Sequence, residues 1–178
     1  MPHSHSVFFL SFCLVLFFGL PALAHYQVRE LRQALKKAQN DAQAGDRFVR
    51  QMEGYKGQDP VLLGYKAAAQ AIQAKYVRNP VRKLRSIRQS AATFEQAVGL
   101  NPSEPELRFL RYSVESNTPG MLNLSAHTAQ DKAFLIRSLQ QHPRSGLDDE
   151  TYSIVREFLL MGEELTERER VAVRNLKP

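Results

Sequence analysis

Between Lys75 and Arg88 the chain sets six cations, Lys75, Arg78, Arg82, Lys83, Arg85 and Arg88, without one carboxylate among them. On a helix, Arg78, Arg82, Arg85 and Arg88 fall within about a third of the circumference, roughly opposite the apolar positions of the same segment. Such a face has two uses. It can serve as an electrostatic platform for anionic lipid headgroups, acidic glycan or an acidic partner protein, or as a solvated face whose charges meet Asp and Glu from elsewhere in the molecule. A second group, Tyr55, Tyr65, Lys66 and Tyr76, is spaced to line a groove between helical hairpins, the kind of concave face on which repeat proteins seat peptides. The same tyrosines also fit a core that keeps their hydroxyls at its rim.

Other reactive residue types form no constellation. His25, His127 and His142 are never four residues apart on one helix face, so no helical metal pair is expected, and His142 before Pro143 reads as a residue closing a helix. Asp148, Asp149 and Glu150 suit the positive end of a helix dipole better than a cation site, and Glu163, Glu164, Glu167 and Glu169 read as a solvated cap. There is no glycine-rich phosphate loop and no nucleophile elbow. Chemistry would require Glu106, Tyr112 or Asp131 to meet in one pocket. The expectation is a protein that is not an enzyme, with no catalytic residue, no cofactor and no metal.

The first 24 residues hold no Lys, Arg, Asp or Glu, and Val7 to Leu20 is apolar or small throughout, ending at Pro21-Ala22-Leu23-Ala24. An apolar core followed by small-x-small is the layout of a secretory signal peptide, with cleavage expected before His25, and retention as an anchor is the alternative. Processing would leave 25–178 as a single domain, exported to the periplasm or beyond, with no stable membrane span. Cys13, the single cysteine, lies inside the leader after Phe12, an unsuitable neighbour for lipidation. The processed chain then has no disulfide, no thiolate ligand and no cysteine nucleophile. Charge is unevenly spread: 25–94 hold 14 basic and 5 acidic side chains, whereas 95–178 hold 10 basic and 13 acidic. With no tryptophan and no aromatic motif that stacks bases, nucleic acid is not an expected partner.

Helices must position these groups. Val28, Leu31, Ala34, Leu35 and Ala38 recur at helical spacing, and Asp46 is expected to cap a second segment with Phe48, Val49 and Met52 inside. Asp59-Pro60 and Asn79-Pro80 open two longer helices. The first has a Leu62, Tyr65, Ala69, Ile72, Tyr76 stripe, and its alanines and Gly64 admit close neighbours. The second has Leu84, Ile87, Ala91, Phe94 and Val98 on one arc, with Gly99 stopping it. Ser103 with Glu106, Thr128 with Asp131 and Thr166 with Glu169 are expected capping boxes, and Asp148 opens a further helix. Pro119 to Leu124 reads as an apolar connection, either a docking tip or a loop folded over the helix ends. No segment alternates with period two, which excludes a sheet.

The string Phe94-Glu95-Gln96-Ala97-Val98-Gly99-Leu100-Asn101-Pro102, with Ser90 four before the aromatic, resembles the end of a tetratricopeptide repeat, and Leu63-Gly64 resembles the pair of its first helix. The resemblance covers about 60–117 and implies antiparallel helical hairpins in a right-handed array of about seven or eight helices. Val61 to Ala68 and Glu106 to Tyr112 are also similar to strings in exported bacterial proteins of no assigned activity, which implies an address and a fold and carries over no catalytic residue. The expected class is therefore all-α and tetratricopeptide-like, and the expected role is an interaction module or scaffold whose groove takes a protein or peptide. The alternative is an electrostatic binder of an anionic envelope surface through the basic face at 75–88.

Overall fold

The computed structural model describes residues 26–118 and 126–177, and these form eight α-helices with no strand among them. The helices are α1 Val28–Ala38, α2 Ala42–Glu53, α3 Pro60–Tyr76, α4 Pro80–Leu100, α5 Pro105–Glu115, α6 Thr128–Gln140, α7 Asp149–Met161 and α8 Glu167–Asn175. The all-helical expectation holds. Capping explains most of the starts. The side chains of Asp41, Asp59, Asn79, Asp148 and Thr166 accept from free first-turn N–H groups, and Pro60, Pro80 and Pro105 begin helices where no backbone donor is needed. Thr166 and Glu169 form the expected reciprocal box.

Three expected boundaries need correction. Asp41, not Asp46, caps α2, so Gly45 lies inside the helix. A Cβ there would stand 2.8 Å from the Tyr76 ring, so glycine permits the α2–α3 contact. Gly99 does not stop α4, which runs one residue further to Leu100 and ends at the Asn101 cap before Pro102. Ser103 bonds Asn101 instead of capping α5, whose cap is Glu104. The connection at Pro119 to Leu124 lies outside the described residues.

Helix α3 is the axis of the first core. It packs against α1, α2, α4 and α5, and buries Leu63, Tyr65, Ala67, Ala68, Ala69, Ile72 and Ala74 around most of its circumference. Its alanines let the neighbours close in. Ser90 of α4 is fully buried and donates to the Ala67 carbonyl at 2.8 Å, so a small hydroxyl replaces a large apolar side chain at the closest approach. Consequently the α4 arc is rotated from the expected one: Ser86, Ser90, Phe94 and Ala97 face α3, while Leu84 and Ile87 are only half-buried.

A second core gathers Leu135, Leu139, Leu147, Tyr152, Val155, Leu159 and Val173 from α6, α7 and α8 with the segments between them. Helix α5 belongs to both. Its Leu107 and Leu110 enter the first core, and its Tyr112, with Phe109 alongside, enters the second. Gly64 marks the tightest α3–α5 approach, since a Cβ there would lie 2.7 Å from Leu107 Cδ1. Gly64→Val is expected to lower stability by about 1–3 kcal/mol through overpacking, read as a shifted urea midpoint at unchanged slope.

Candidate functional site

Helix α5 carries an unusual load of buried charge. Glu106, Arg108, Arg111 and Glu115 are all buried on a helix of 11 residues. Burying an ion costs several kcal/mol unless it is paired and hydrogen-bonded, so each must have a partner. Asp131 of α6, with 0% exposure, supplies two of them. Arg111 binds it in bidentate fashion, Nε to Oδ2 at 2.7 Å and Nη2 to Oδ1 at 2.9 Å, and Arg108 Nε reaches Oδ1 at 2.5 Å. The Arg108 guanidinium also lies over the Phe134 ring at 4.8 Å. Burial takes Arg108 below its ordinary range despite Asp131 beside it, whereas for Arg111 burial is outweighed by the hydrogen bonds it donates to Asp131 together with the negative charges of Asp131, Glu115 and Glu95, which raise it.

Glu115 accepts from the His127 backbone N–H and faces the His127 ring nitrogen Nδ1, each at 2.9 Å, and Glu95 of α4 faces Nε2 at 3.1 Å. Glu106 sits in a separate cluster at the other end of α5. Arg32 of α1 donates to both its oxygens, at 2.9 and 2.7 Å, and Tyr65 donates to Oε1 at 2.5 Å. Arg32 then reaches across to Asp148 at 2.7 Å and Glu150 at 3.2 Å at the start of α7. Burial drives the Tyr65 phenol well above its usual range and the Glu106 carboxylate adds to it. Tyr112 is raised for the same two reasons, with Glu164 as the carboxylate.

These networks correct two expectations. Glu106 and Asp131 are not capping residues, because both side chains turn inward to arginines. Nor do Glu106, Tyr112 and Asp131 converge, since they belong to three different clusters. Asp148 does open α7, accepting from Thr151 N–H, but it holds Arg32 as well.

The tyrosine group expected to line a groove is dispersed. Tyr65 is in the interior on Glu106. Tyr55 is buried against Tyr26 and accepts Lys66 through its carbonyl at 2.8 Å. Tyr76 is half-buried and donates to the Ala38 carbonyl at 2.9 Å. Tyr55 and Tyr76 are used between α1, α2 and α3, and Tyr65 ties α3 to α5.

The concave surface lies elsewhere. A groove of about 900 Å³ runs between α1, α3, α4, the end of α5 and Phe158 of α7. Leu35, Ala71, Leu84, Ile87 and Val114 form its walls, and Lys75 and Lys83 are its titratable residues, with no carboxylate among those lining it. The sequence signal for it was the Leu84/Ile87 pair, obscured because their arc was assigned to the core. The basic residues of the next face are all exposed: Lys75, Arg78, Arg82, Arg85 and Arg88. None pairs with a described carboxylate. Lys75 donates to the Gln39 carbonyl at 2.6 Å, while the described acids are spent on α5, Arg32, His127, His142, Lys132 and Arg170 or face solvent. Among the described residues no cluster of metal-ligating side chains occurs, and no helix is long and apolar enough to cross a membrane.

Comparison with protein-family models, curated proteins and solved structures gives no match for this chain.

Two outcomes test the charged interior. Asp131→Asn removes the buried anion that Arg108 and Arg111 share, leaving the exposed Glu95 beside Arg111 only, and a loss of about 3–5 kcal/mol is expected in denaturant unfolding. The tyrosines set an alkaline limit. A phenol whose folded pKa is raised contributes stability that is complete below its unfolded value of about 10 and is lost progressively as pH rises from there through the higher folded value, so the thermal midpoint should fall above about pH 10. Tyr65→Phe should flatten that limb while costing about 1.5–3 kcal/mol at neutral pH for the lost charged hydrogen bond. Asp148 and Glu169 act at the opposite end. Burial alone would raise Asp148, but the Thr151 N–H and Arg32 lower it, and the Thr166 N–H lowers Glu169. Their contribution is present above about pH 4 and is lost on acidification.

Proposed function

We propose that the protein is an exported, non-enzymatic interaction module whose groove seats an apolar segment of a partner protein. One observation carries this reading: Leu84 and Ile87 stay half-exposed in a groove of about 900 Å³ while Ser86 and Ser90 occupy the adjoining core positions. A helix that spends its buried positions on serine and leaves its aliphatic ones open keeps surface for something else to cover. The volume lies at the upper end of what ligand pockets span, and apolar walls with a few polar groups at the edge are the usual composition of such sites.

The tetratricopeptide resemblance of 60–117 agrees with this role, since Ser90 and Ala97 are the small residues at the α3–α4 contact and helical hairpins of that kind present concave faces to peptides. It is fold analogy, and the groove chemistry supports the function separately. Export rests on the leader pattern of 1–24.

A photoreactive residue at Leu84 or Ile87, introduced in the native host, is expected to trap a discrete protein partner, and one at Ala92 on the outer side of α4 is not. Ile87→Glu should lower recovery of that partner at least tenfold with the fold unchanged by circular dichroism. Equal trapping at Ile87 and Ala92, or none at either, contradicts the groove reading. Mass spectrometry of the protein recovered from the host envelope should give a chain beginning at His25, and a mass that includes the leader contradicts cleavage.

A further inference from the structure

We propose that the outer face of α4, with the bundle end from which it starts, is a docking surface for an anionic phospholipid bilayer. At 100° per residue Val81, Arg82, Arg85 and Arg88 lie within about 120° of the helix circumference, and Gln89, Ala92 and Gln96 continue the same face. All of these are exposed. No acid interrupts the arc. Glu95, the single carboxylate of α4, is turned to its edge, where it meets Arg111 at 3.7 Å and His127 at 3.1 Å.

The bundle end widens the positive surface. Lys75 bonds the Gln39 carbonyl just beyond α1, so the last-turn cations Lys36 and Lys37 of α1 come to the same end as Lys75, Arg78, Arg82 and Lys83. The acids of that region are Asp41, which caps α2, and Asp46, which borders a small hollow with Tyr76. None of the cations named forms an ion pair, although the molecule carries exposed acids on α7 and α8. Charge separation of this kind gives the protein a dipole that turns α4 toward a negative surface before contact.

Val81 decides between occupants. It is 68% exposed in the midst of the arginines, where a purely ionic contact has no use for it. At a bilayer surface Val81 can place its apolar atoms at the headgroup boundary while Arg82 and Arg85 beside it meet the phosphates. The face has no aromatic ring to stack sugars or bases, as binders of glycan and single-stranded nucleic acid employ. Its cations are spread along an exposed helix face, which suits a multivalent sheet of phosphates. The surface meets the groove at Lys75 and Lys83, whereas Val81, Arg82, Arg85 and Arg88 lie outside the groove lining.

The test uses the protein as the host processes it, sedimented with vesicles of phosphatidylcholine alone or with about one-third phosphatidylglycerol. Retention is expected on the anionic vesicles only, and it should fall steeply with added salt. Each cation near the surface is worth about fivefold in partitioning, so the triple variant Arg82→Glu, Arg85→Glu, Arg88→Glu should lose at least about a hundredfold. Val81→Asp should weaken retention and Val81→Trp should strengthen it, and all four positions are exposed, so circular dichroism should be unchanged. Ile87→Glu, a groove change, should leave retention as it is. No retention on anionic vesicles, equal retention on neutral ones, or a triple variant that behaves as the parent overturns the proposal. So does binding of dextran sulfate in solution without any binding to vesicles.

Discussion

A single carboxylate with no solvent exposure, Asp131, faces two guanidiniums one turn apart on α5. The arrangement leaves a buried net positive charge beside the carboxylate. It persists because the geometry is bidentate on Arg111, because Arg108 also lies on the Phe134 ring, and because Glu95 approaches from α4. Apolar packing alone would not fix the register between α5 and α6. Leucines slide past one another at little cost, whereas the Arg111 fork on one carboxylate, with Arg108 Nε against Oδ1, favours a single alignment.

Much of the molecule follows from that alignment. Helix α5 is shared by two apolar cores, so its position sets how the α1–α4 bundle meets α6, α7 and α8. At its far end Glu106 performs the same task, gathering Arg32 and Tyr65 from the first bundle while Arg32 extends to Asp148 and Glu150 of α7. Glu106, Glu115, Asp131, Asp148 and Glu150 are thereby engaged inside or at the junction, while Asp149, Glu157, Glu163 and Glu167 face solvent. The cations of α4 find no internal partners, and its outer face stays open, as do Leu84 and Ile87 along the groove. Interior electrostatics and surface availability are two results of one sorting of charge.

The helices were legible because their starts are written in local chemistry. Asp59-Pro60, Asn79-Pro80 and Thr166 with Glu169 act within four residues, and each cap stands where the spacing puts it. Ser103 with Glu106 and Thr128 with Asp131 have the same look and a different fate, because an arginine distant in sequence binds a carboxylate more strongly than a first-turn N–H does. Local pattern cannot reveal that competition. The basic face was legible for the opposite reason: Arg82, Arg85 and Arg88 form no described ion pair with a distant residue, so helix periodicity places them, whereas Arg78, expected on the same face, precedes the Asn79 cap and lies outside α4. The groove was not legible, since Leu84 and Ile87 are apolar at core spacing and only the α3 alanines, by drawing Ser86 and Ser90 inward, turn them outward. Tyr65 follows the core alternative, and its hydroxyl's partner, 41 positions away, could not be read from spacing.

Hydrogen exchange of the native protein tests most directly whether α5 is the element on which both cores depend. If its paired charges lock the two bundles into one cooperative unit, the amides of Leu107 to Tyr112 should exchange only through global unfolding, with protection equal to that of the central α3 amides. Exchange of α5 at a lower free energy than α3 and α7, with the two cores opening separately, would contradict it.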